Sequence, residues 1–419
     1  MEELGRLADT AGARVVFEFT QHRPAVDPKY FVGEGKAKEI AAFCQREKIN
    51  LVIFNDELSG TQQRNLEEII GVKIIDRTRL ILDIFRQRAR TSEGKLQVEL
   101  AQLEYLLPRL TGHGIFLSRQ IGGIGFRGGP GEMKLEVDRR RIKDRISALK
   151  GDINKIKEHR SLQRKRRKEK ELPFVALVGY TNSGKSTLLN ALTDAGVFVE
   201  DKLFATLDPT IRRFILPNNQ PVLFGDTVGF IRKLPHHIIA AFQATLEEVT
   251  EADLLLQVID ISNKEWKKHI ENVHKVLAEL AADDKPMINV FNKIDLTIDK
   301  RHIAYELKRN RNAVAISALK KTGLEDLLGK LMEFLSLRRT KINLSFPYDR
   351  QDLVSLVFEK GRVLETRYAP KKIYIKAELD RKTAKQLDEF VRQPSKKIGG
   401  REPLVFKKRK GENYGYDLS

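Results

Sequence analysis

Eight consecutive residues, Gly179-Tyr180-Thr181-Asn182-Ser183-Gly184-Lys185-Ser186, carry the clearest chemistry in this 419-residue sequence. Glycines on either side of four variable residues let backbone N–H groups close on phosphate oxygens. Lys185 is then placed to reach β- and γ-phosphates, and the Ser186 hydroxyl to ligate Mg²⁺. The apolar run 173–178 reads as a strand, and Thr187-Leu188-Leu189-Asn190-Ala191-Leu192 reads as a helix. A phosphate-cradling loop needs that strand before it and that helix after it.

Three further groups follow in order. An apolar strand from Val222 ends in Asp226-Thr227-Val228-Gly229. Asp226 is expected to hold Mg²⁺ through water, and the Gly229 amide to sense a γ-phosphate. Asn292-Lys293-Ile294-Asp295 follows the apolar run 286–291. The Asp295 carboxylate can accept from guanine N1–H and its 2-amino group, whereas adenine offers neither donor and leaves the charge unpaired. Ser317-Ala318-Leu319, after the run 313–316, is expected to bring the Ala318 amide near guanine O6. Either of the last two is weak alone; all four in order, each behind a strand, point to GTP or GDP. Between the first loop and Asp226 lies Leu203-Phe204-Ala205-Thr206-Leu207-Asp208-Pro209-Thr210. One threonine here is expected to coordinate Mg²⁺ and act as a switch; Thr206 is preferred and Thr210 is the alternative, with Phe204 and Ala205 beside the nucleotide. Lys185, Thr206 and Gly229 are the groups expected to serve the chemical step. Phe230 stands where a glutamine would orient water, and an apolar ring cannot do so; it is read as packing in the switch. Slow intrinsic hydrolysis, speeded by a partner that orders the site, follows.

The elements that position these groups show in the chain's alternation. Hydrophobic residues make up 41% and charged residues 32%, a balance suited to a soluble chain with buried cores. No apolar run approaches the ~20 residues that cross a bilayer, and no basic-then-apolar leader opens the chain. The single cysteine, Cys44, allows no internal disulfide and, with eight scattered histidines, argues against structural zinc. A cytoplasmic monomer is expected, with peripheral membrane association left open. The fold class is α/β. Strands at 14–19, 50–55 and 72–76, with helices at 36–47 and 60–70, predict a small parallel α/β domain over 1–90. Apolar residues from Ile81 through Leu107 then recur at helical spacing, so one helix is expected from about Arg79 until Pro108 and Gly112 end it. Eight glycines mark 111–131 as a loop, and a charged helix follows from Glu132 to about Glu171, with Gly151 as its weak point. Two helices around a loop read as an antiparallel hairpin arm over 91–171. Its tip holds Phe116, Arg119, Gln120, Phe126 and Arg127, groups suited to phosphates and unstacked bases of RNA; a plain linker is the other reading. Strand and helix units over 172–340 form the nucleotide domain. Strand, helix, strand, strand, helix over 341–419 forms a small α+β domain with a basic tail. Net charge is 0 over 1–100, +10 over 101–172, +1 over 173–340 and +8 over 341–419, within +19 overall. Two separate basic segments point to a polyanionic partner, nucleic acid foremost.

With these residues in place, the sequence resembles the HflX family of GTPases, in the Obg–HflX group of P-loop GTPases. The resemblance covers nearly the whole chain. Beyond the nucleotide motifs it rests on Leu7-Ala8-Asp9-Thr10-Ala11-Gly12, Tyr30-Phe31-Val32-Gly33-Glu34-Gly35-Lys36, Asp76-Arg77-Thr78, Gly128-Gly129-Pro130-Gly131-Glu132 and Asp138-Arg139-Arg140. It implies binding to the large ribosomal subunit and its ribosomal RNA, with the arm directed at the peptidyl transferase region. It also implies GTP-dependent splitting of stalled ribosomes under stress such as heat. The resemblance further implies use of ATP at the N-terminal domain, where Gly33-Glu34-Gly35-Lys36 is either a contact or a tight turn before a helix. The alternative function is ATP-driven RNA remodelling, with the nucleotide domain as a regulatory guanine-nucleotide switch.

Overall fold

The computed structural model describes residues 2–110, 131–169, 172–193, 202–232, 238, 242–297, 300–336, 340–379 and 381–391. The chain divides into two compact units, Met1–Arg338 and Arg339–Ser419. The tip residues Phe116, Arg119, Gln120, Phe126 and Arg127 lie outside the described residues.

In the first unit, β1 (Leu51–Phe54) and β2 (Lys73–Asp76) pair in parallel from Leu51↔Lys73 to Phe54↔Asp76. The helices Glu34–Arg46 and Gly60–Ile70 cover this pair, burying Ile40, Cys44, Leu66 and Ile70 against Phe54 and Ile74. Ser59 starts the second helix through a capping box with Gln62, which satisfies two amides that the helix itself cannot. Gly33 caps the first helix, its amide donating to Gln21 Oε1 at 3.0 Å, while Lys36 pairs with Glu39 at 2.8 Å. The expected strand at 14–19 does not form. That segment joins no ladder, and Val15, Val16 and Phe17 are exposed. Phe17 and Phe19 instead lean on Phe43, with ring centroids 5.0 and 5.4 Å away. Residues with strand propensity form no strand without a partner edge.

The single helix expected from Arg79 is two helices, Arg77–Arg88 and Ser92–Leu106. Thr91 caps the second by accepting from the Gly94 amide at 3.0 Å. The chain then runs through a short turn, Leu107–Arg109. The helix Gly131–Glu169 is continuous through Gly151, and its 39 residues extend roughly 58 Å at 1.5 Å each. It lies along Ser92–Leu106, burying Leu100 and Leu110 against Ile142, Ile146 and Leu149. Arg145 grips Glu99 with two hydrogen bonds of 2.7 and 2.9 Å, and Lys150 reaches Glu104 at 2.8 Å.

A six-stranded sheet follows: β3 (Phe174–Val178), β4 (Thr210–Ile215), β5 (Pro221–Asp226), β6 (Leu254–Asp260), β7 (Met287–Asn292) and β8 (Ala313–Ala315), in the order β4-β5-β3-β6-β7-β8. All ladders are parallel except β4 with β5. Every residue of β3 is buried, as a strand covered on both faces requires, which is why it reads as a continuous apolar run. The carboxyl ends of β3, β5, β7 and β8 bring four loops to one edge, where parallel sheets collect ligands.

The second unit holds β9 (Thr340–Pro347), β10 (Arg362–Ala369) and β11 (Lys372–Leu379) in an antiparallel sheet ordered β10-β11-β9. The helices Gln351–Lys360 and Arg381–Gln386 accompany it, and Leu344, Phe346, Val357, Ile373, Ile375 and Leu387 form its core.

Candidate nucleotide-binding site

The loop after β3 leads straight into the helix Lys185–Thr193. The main chain of 182–186 therefore sits at a helix N-terminus, where N–H groups and the helix dipole favour an anion. Lys185 is buried, and its ammonium donates to Gly179 O at 3.2 Å and Tyr180 O at 2.9 Å. Burial pushes its pKa down to about 8, although Asp226 pulls the other way. A buried cation held by two neutral carbonyls is short of counter-charge, and an entering phosphate would supply it.

Asp226, at the end of β5, is fully buried, and burial raises its pKa against the pull of Lys185 and the hydroxyls around it. Its Oδ2 accepts from Ser186 Oγ at 2.5 Å and Thr206 Oγ1 at 3.0 Å, and those two hydroxyls lie 2.7 Å apart. Among the described residues its Oδ1 is buried with no hydrogen-bond partner. Two hydroxyls and a carboxylate with an unsatisfied oxygen match the hard oxygen donors that Mg²⁺ prefers, with phosphate and water completing the shell. Among the described residues no group of three or more His, Cys, Asp or Glu side chains gathers to hold a metal by itself. Of the two candidate threonines, Thr206 stands beside Ser186 and Asp226, while Thr210 begins β4.

A cavity of about 330 Å³ runs from this cluster to the far edge of the sheet, at the lower end of the range for small-molecule sites. Thr181, Asn182, Gly184, Lys185, Ser186 and Thr187 line its phosphate end. Phe204, Ala205, Thr206, Thr227 and Gly229 form one wall. A Cβ added at Gly229 would lie 2.7 Å from Thr181 Cα and 3.0 Å from Lys185 Nζ, so only glycine fits there. At the other end stand Asn292, Lys293, Asp295 and Leu319. Asn292 ties this end together: its amide donates to Ser183 O at 2.9 Å, and its Oδ1 accepts from the Ala318 amide at 3.0 Å. Lys293, held in the left-handed region at φ 64°, pairs with Asp260 at 2.8 Å.

Several expected site residues stand behind this lining. Gly179, Ser183, Val228, Ile294, Ser317 and Ala318 shape the loops without lining the cavity. Tyr180 does not line it either. Its hydroxyl donates to Glu3 and accepts from the Arg232 amide at 2.8 Å, and its ring stacks on His269 at 3.8 Å. Phe230 is buried; its carbonyl accepts from the Thr181 amide at 2.7 Å, and its amide donates to Gly179 O at 3.1 Å. Two lining residues went unforeseen, Lys202 and Leu296. Leu296 is 64% exposed and Leu319 is 76% exposed, and two bare leucines at the base end of a cavity offer a flat ring its apolar walls. The signal for Leu296 was a leucine directly after Asp295 in a tight turn.

The chain is similar to several known proteins. Residues 1–86 match the GTP-binding GTPase N-terminal family, 88–167 the GTP-binding GTPase Middle Region, and 174–293 the 50S ribosome-binding GTPase family. The GTPase HflX of Caldanaerobacter subterraneus subsp. tengcongensis is 50% identical over 391 residues, spanning 93% of this chain and 90% of that protein. The GTPase HflX of Escherichia coli is 47% identical over 337 residues, spanning 80% of this chain and 79% of that protein. A solved GTP-binding protein from Sulfolobus solfataricus, in complex with GDP, aligns with a TM-score of 0.43 at 26% identity, covering 80% of this chain and 95% of that one. Half of all residues shared along nearly the whole length places the chain in the HflX family of GTPases.

Proposed function

We propose that the chain binds GTP with Mg²⁺ at the carboxyl edge of the six-stranded sheet, hydrolyses it, and uses that cycle on the large ribosomal subunit to split or rescue stalled ribosomes. The observation that carries the nucleotide reading is the meeting of Ser186, Thr206 and Asp226 around one unsatisfied buried oxygen. When bound there, Mg²⁺ supplies positive charge to the phosphate oxygens. Lys185 holds the β- and γ-phosphates in line, and the main chain of 182–186 closes on them. Thr206 reports the metal's presence to the segment that follows it, and the Gly229 amide reports the γ-phosphate. Asp295 reads the guanine edge between Leu296 and Leu319, with the Ala318 amide at O6. Phe230 contributes only its main chain to this site, so a group that orients the attacking water comes from elsewhere. That requirement favours a partner-stimulated enzyme.

The ribosomal half of the proposal is supported by the match to the 50S ribosome-binding GTPase family and by the +10 charge over 101–172. It assigns Phe116, Arg119, Gln120, Phe126 and Arg127 to contact with ribosomal RNA and a cytoplasmic, monomeric protein. No described helix is long and apolar enough to cross a membrane. Equilibrium binding of fluorescent GDP tests the site, with unlabelled GTP, ATP and xanthosine triphosphate as competitors and with Mg²⁺ present or chelated. Competition by GTP alone supports the assignment; equal competition by ATP overturns it. Loss of the GTP preference for large-subunit binding in a chain lacking 114–131 would support the arm as the contact. Unchanged binding would make that segment a linker.

A further inference from the structure

The segment carrying Thr206 does not end at the nucleotide. Two residues on, the Asp208 carboxylate leaves the six-stranded sheet's own elements and closes on the start of the helix Ser92–Leu106. Its Oδ2 accepts from the Arg90 and Thr91 amides, both at 3.0 Å, and its Oδ1 accepts from Thr91 Oγ1 at 2.5 Å. Thr91 is the residue that caps that helix. A Cβ added at Gly94, one turn in, would collide with Asp208 Oδ1 and crowd Thr91 Oγ1. The helix thus carries its weakest former other than proline at a buried position, because a carboxylate from 114 residues further along the chain occupies the space. Negative charge at a helix N-terminus, satisfied by two amides and a hydroxyl, is a favourable and directional contact.

Around this contact the segment that carries Thr206 and the helix that follows Gly229 both meet the arm. Phe204, two residues before Thr206, packs edge-on to Phe85 at 4.7 Å, and Phe85 meets Phe242 at 4.9 Å. The arm helix Gly131–Glu169 reaches the same place: Arg160 pairs with Glu93 at 2.7 Å, and Lys157 pairs with Glu247 at 2.5 Å. Glu93 lies beside Thr91, and Glu247 lies on the helix Gln243–Glu251, downstream of Gly229. The base of the arm is therefore closed on itself through Arg160 and Glu93 and tied to the helix that follows Gly229 through Lys157 and Glu247.

We infer that Asp208 is a latch: a positioning residue that binds the Thr206 segment to the base of the helical arm, so that the nucleotide state sets the arm and the arm sets the nucleotide state. This rests on Thr206 responding to Mg²⁺ and phosphate as proposed above. Coupling of this kind is reciprocal, because a contact present in only one nucleotide state must be favoured equally by whatever stabilises the arm in that state. Asp208 does not line the nucleotide cavity, so its loss should leave binding in place while removing the communication.

Amide hydrogen exchange on the full free chain tests this directly, comparing GDP with a non-hydrolysable GTP analogue, both with Mg²⁺. In the wild type, exchange at Arg90 and Thr91 should differ between the two nucleotides by at least about tenfold, as a latch contact opens and closes. Asp208→Ala and Gly94→Ala should each abolish that difference while nucleotide affinities stay within about threefold. Gly94→Ala matters because alanine is the better helix former, so its effect cannot be ascribed to an unfolded helix. Asp208→Asn, which retains one acceptor oxygen, should restore part of the difference. Two results would overturn the latch: no nucleotide dependence at Arg90 and Thr91 in the wild type, or a dependence that survives Asp208→Ala. Large-subunit binding is measured in parallel. Failure of the subunit to distinguish the two nucleotide states of the wild type, with the exchange difference intact, would refute the ribosomal reading and leave the latch standing.

Discussion

Lys185→Met separates stability from binding in a way that the buried ammonium makes quantitative. In the free protein Lys185 has a pKa of about 8 against the usual 10.5, because burial strips its water. Below about pH 8 both the folded and unfolded chains carry the proton, and the folded state bears the full penalty of a buried charge. Between about pH 8 and 10.5 the unfolded chain holds more protons, so stability rises with pH in that window. Going from pH 7 to pH 10, the rise attributable to this one group is on the order of 2–3 kcal/mol. Methionine keeps the length and removes the titration. The bonds to Gly179 O and Tyr180 O weaken as the ammonium loses its proton, and that change is already contained in the pKa difference between the folded and unfolded chains. Urea unfolding of nucleotide-free wild type and variant, at both pH values, gives the wild-type-minus-variant stability, which should increase by roughly 2–3 kcal/mol on going to pH 10. The variant should also bind GTP about a thousandfold more weakly, from about 4 kcal/mol for a charge about 4 Å from phosphate at an effective dielectric of about 20. A stability difference that is flat with pH would refute the buried-cation account, and near-normal GTP affinity would remove Lys185 from the phosphate site.

Asp295→Asn should lower the preference for GTP over xanthosine triphosphate by at least about tenfold, since an amide cannot accept both guanine donors; competition binding reads this out, and an unchanged ratio would show that the base is read elsewhere. Thr206→Ala should weaken the Mg²⁺ dependence of GTP-analogue binding while leaving GDP binding within about threefold, and Thr210→Ala should do neither; the reverse pattern in a metal titration would move the ligand to Thr210. Glu3→Gln should loosen the Tyr180 and Arg77 contacts and lower stability by about 1–3 kcal/mol, measured by thermal unfolding. No change there would mean that the helix Glu2–Thr10, which carries Glu3 at the chain's start, does not brace the phosphate loop.

What could be read from residue order alone was whatever depends on local pattern. The helix Gly60–Ile70 has the bounds its apolar spacing predicts, with Ser59 and Gly71 as visible stops. The strands of the six-stranded sheet stand out as apolar runs because both faces are covered, and the loops at their carboxyl ends carry motifs of fixed spacing. Features set by distant residues were hidden. The break at Ala89–Thr91 depends on Asp208, and a helical period cannot announce a carboxylate arriving from another part of the chain. Residues 14–19 have strand composition, yet no backbone edge lies in ladder register with them. Spacing leaves Thr206 and Thr210 open; in the fold the Thr206 hydroxyl lies 3.0 Å from Asp226 Oδ2, while Thr210 faces Asp226 across the β4–β5 ladder. Tyr180 looked like part of the phosphate loop, and its side chain is taken by Glu3 because a helix at the chain's start packs there. Leu296 was passed over because an exposed leucine in a turn is ordinarily unremarked.

The proposed enzyme is guanine-specific, and its slow chemistry waits on the large ribosomal subunit. Steady-state phosphate release from the full chain, with Mg²⁺ and either GTP or ATP, with and without purified large subunits, addresses it in one experiment. GTP hydrolysis should be slow alone and at least about tenfold faster with subunits, because Phe230 leaves the water unoriented, with no such acceleration of ATP hydrolysis. GTP hydrolysis that ignores the subunit, or subunit-stimulated ATP hydrolysis at the level of GTP, would contradict it.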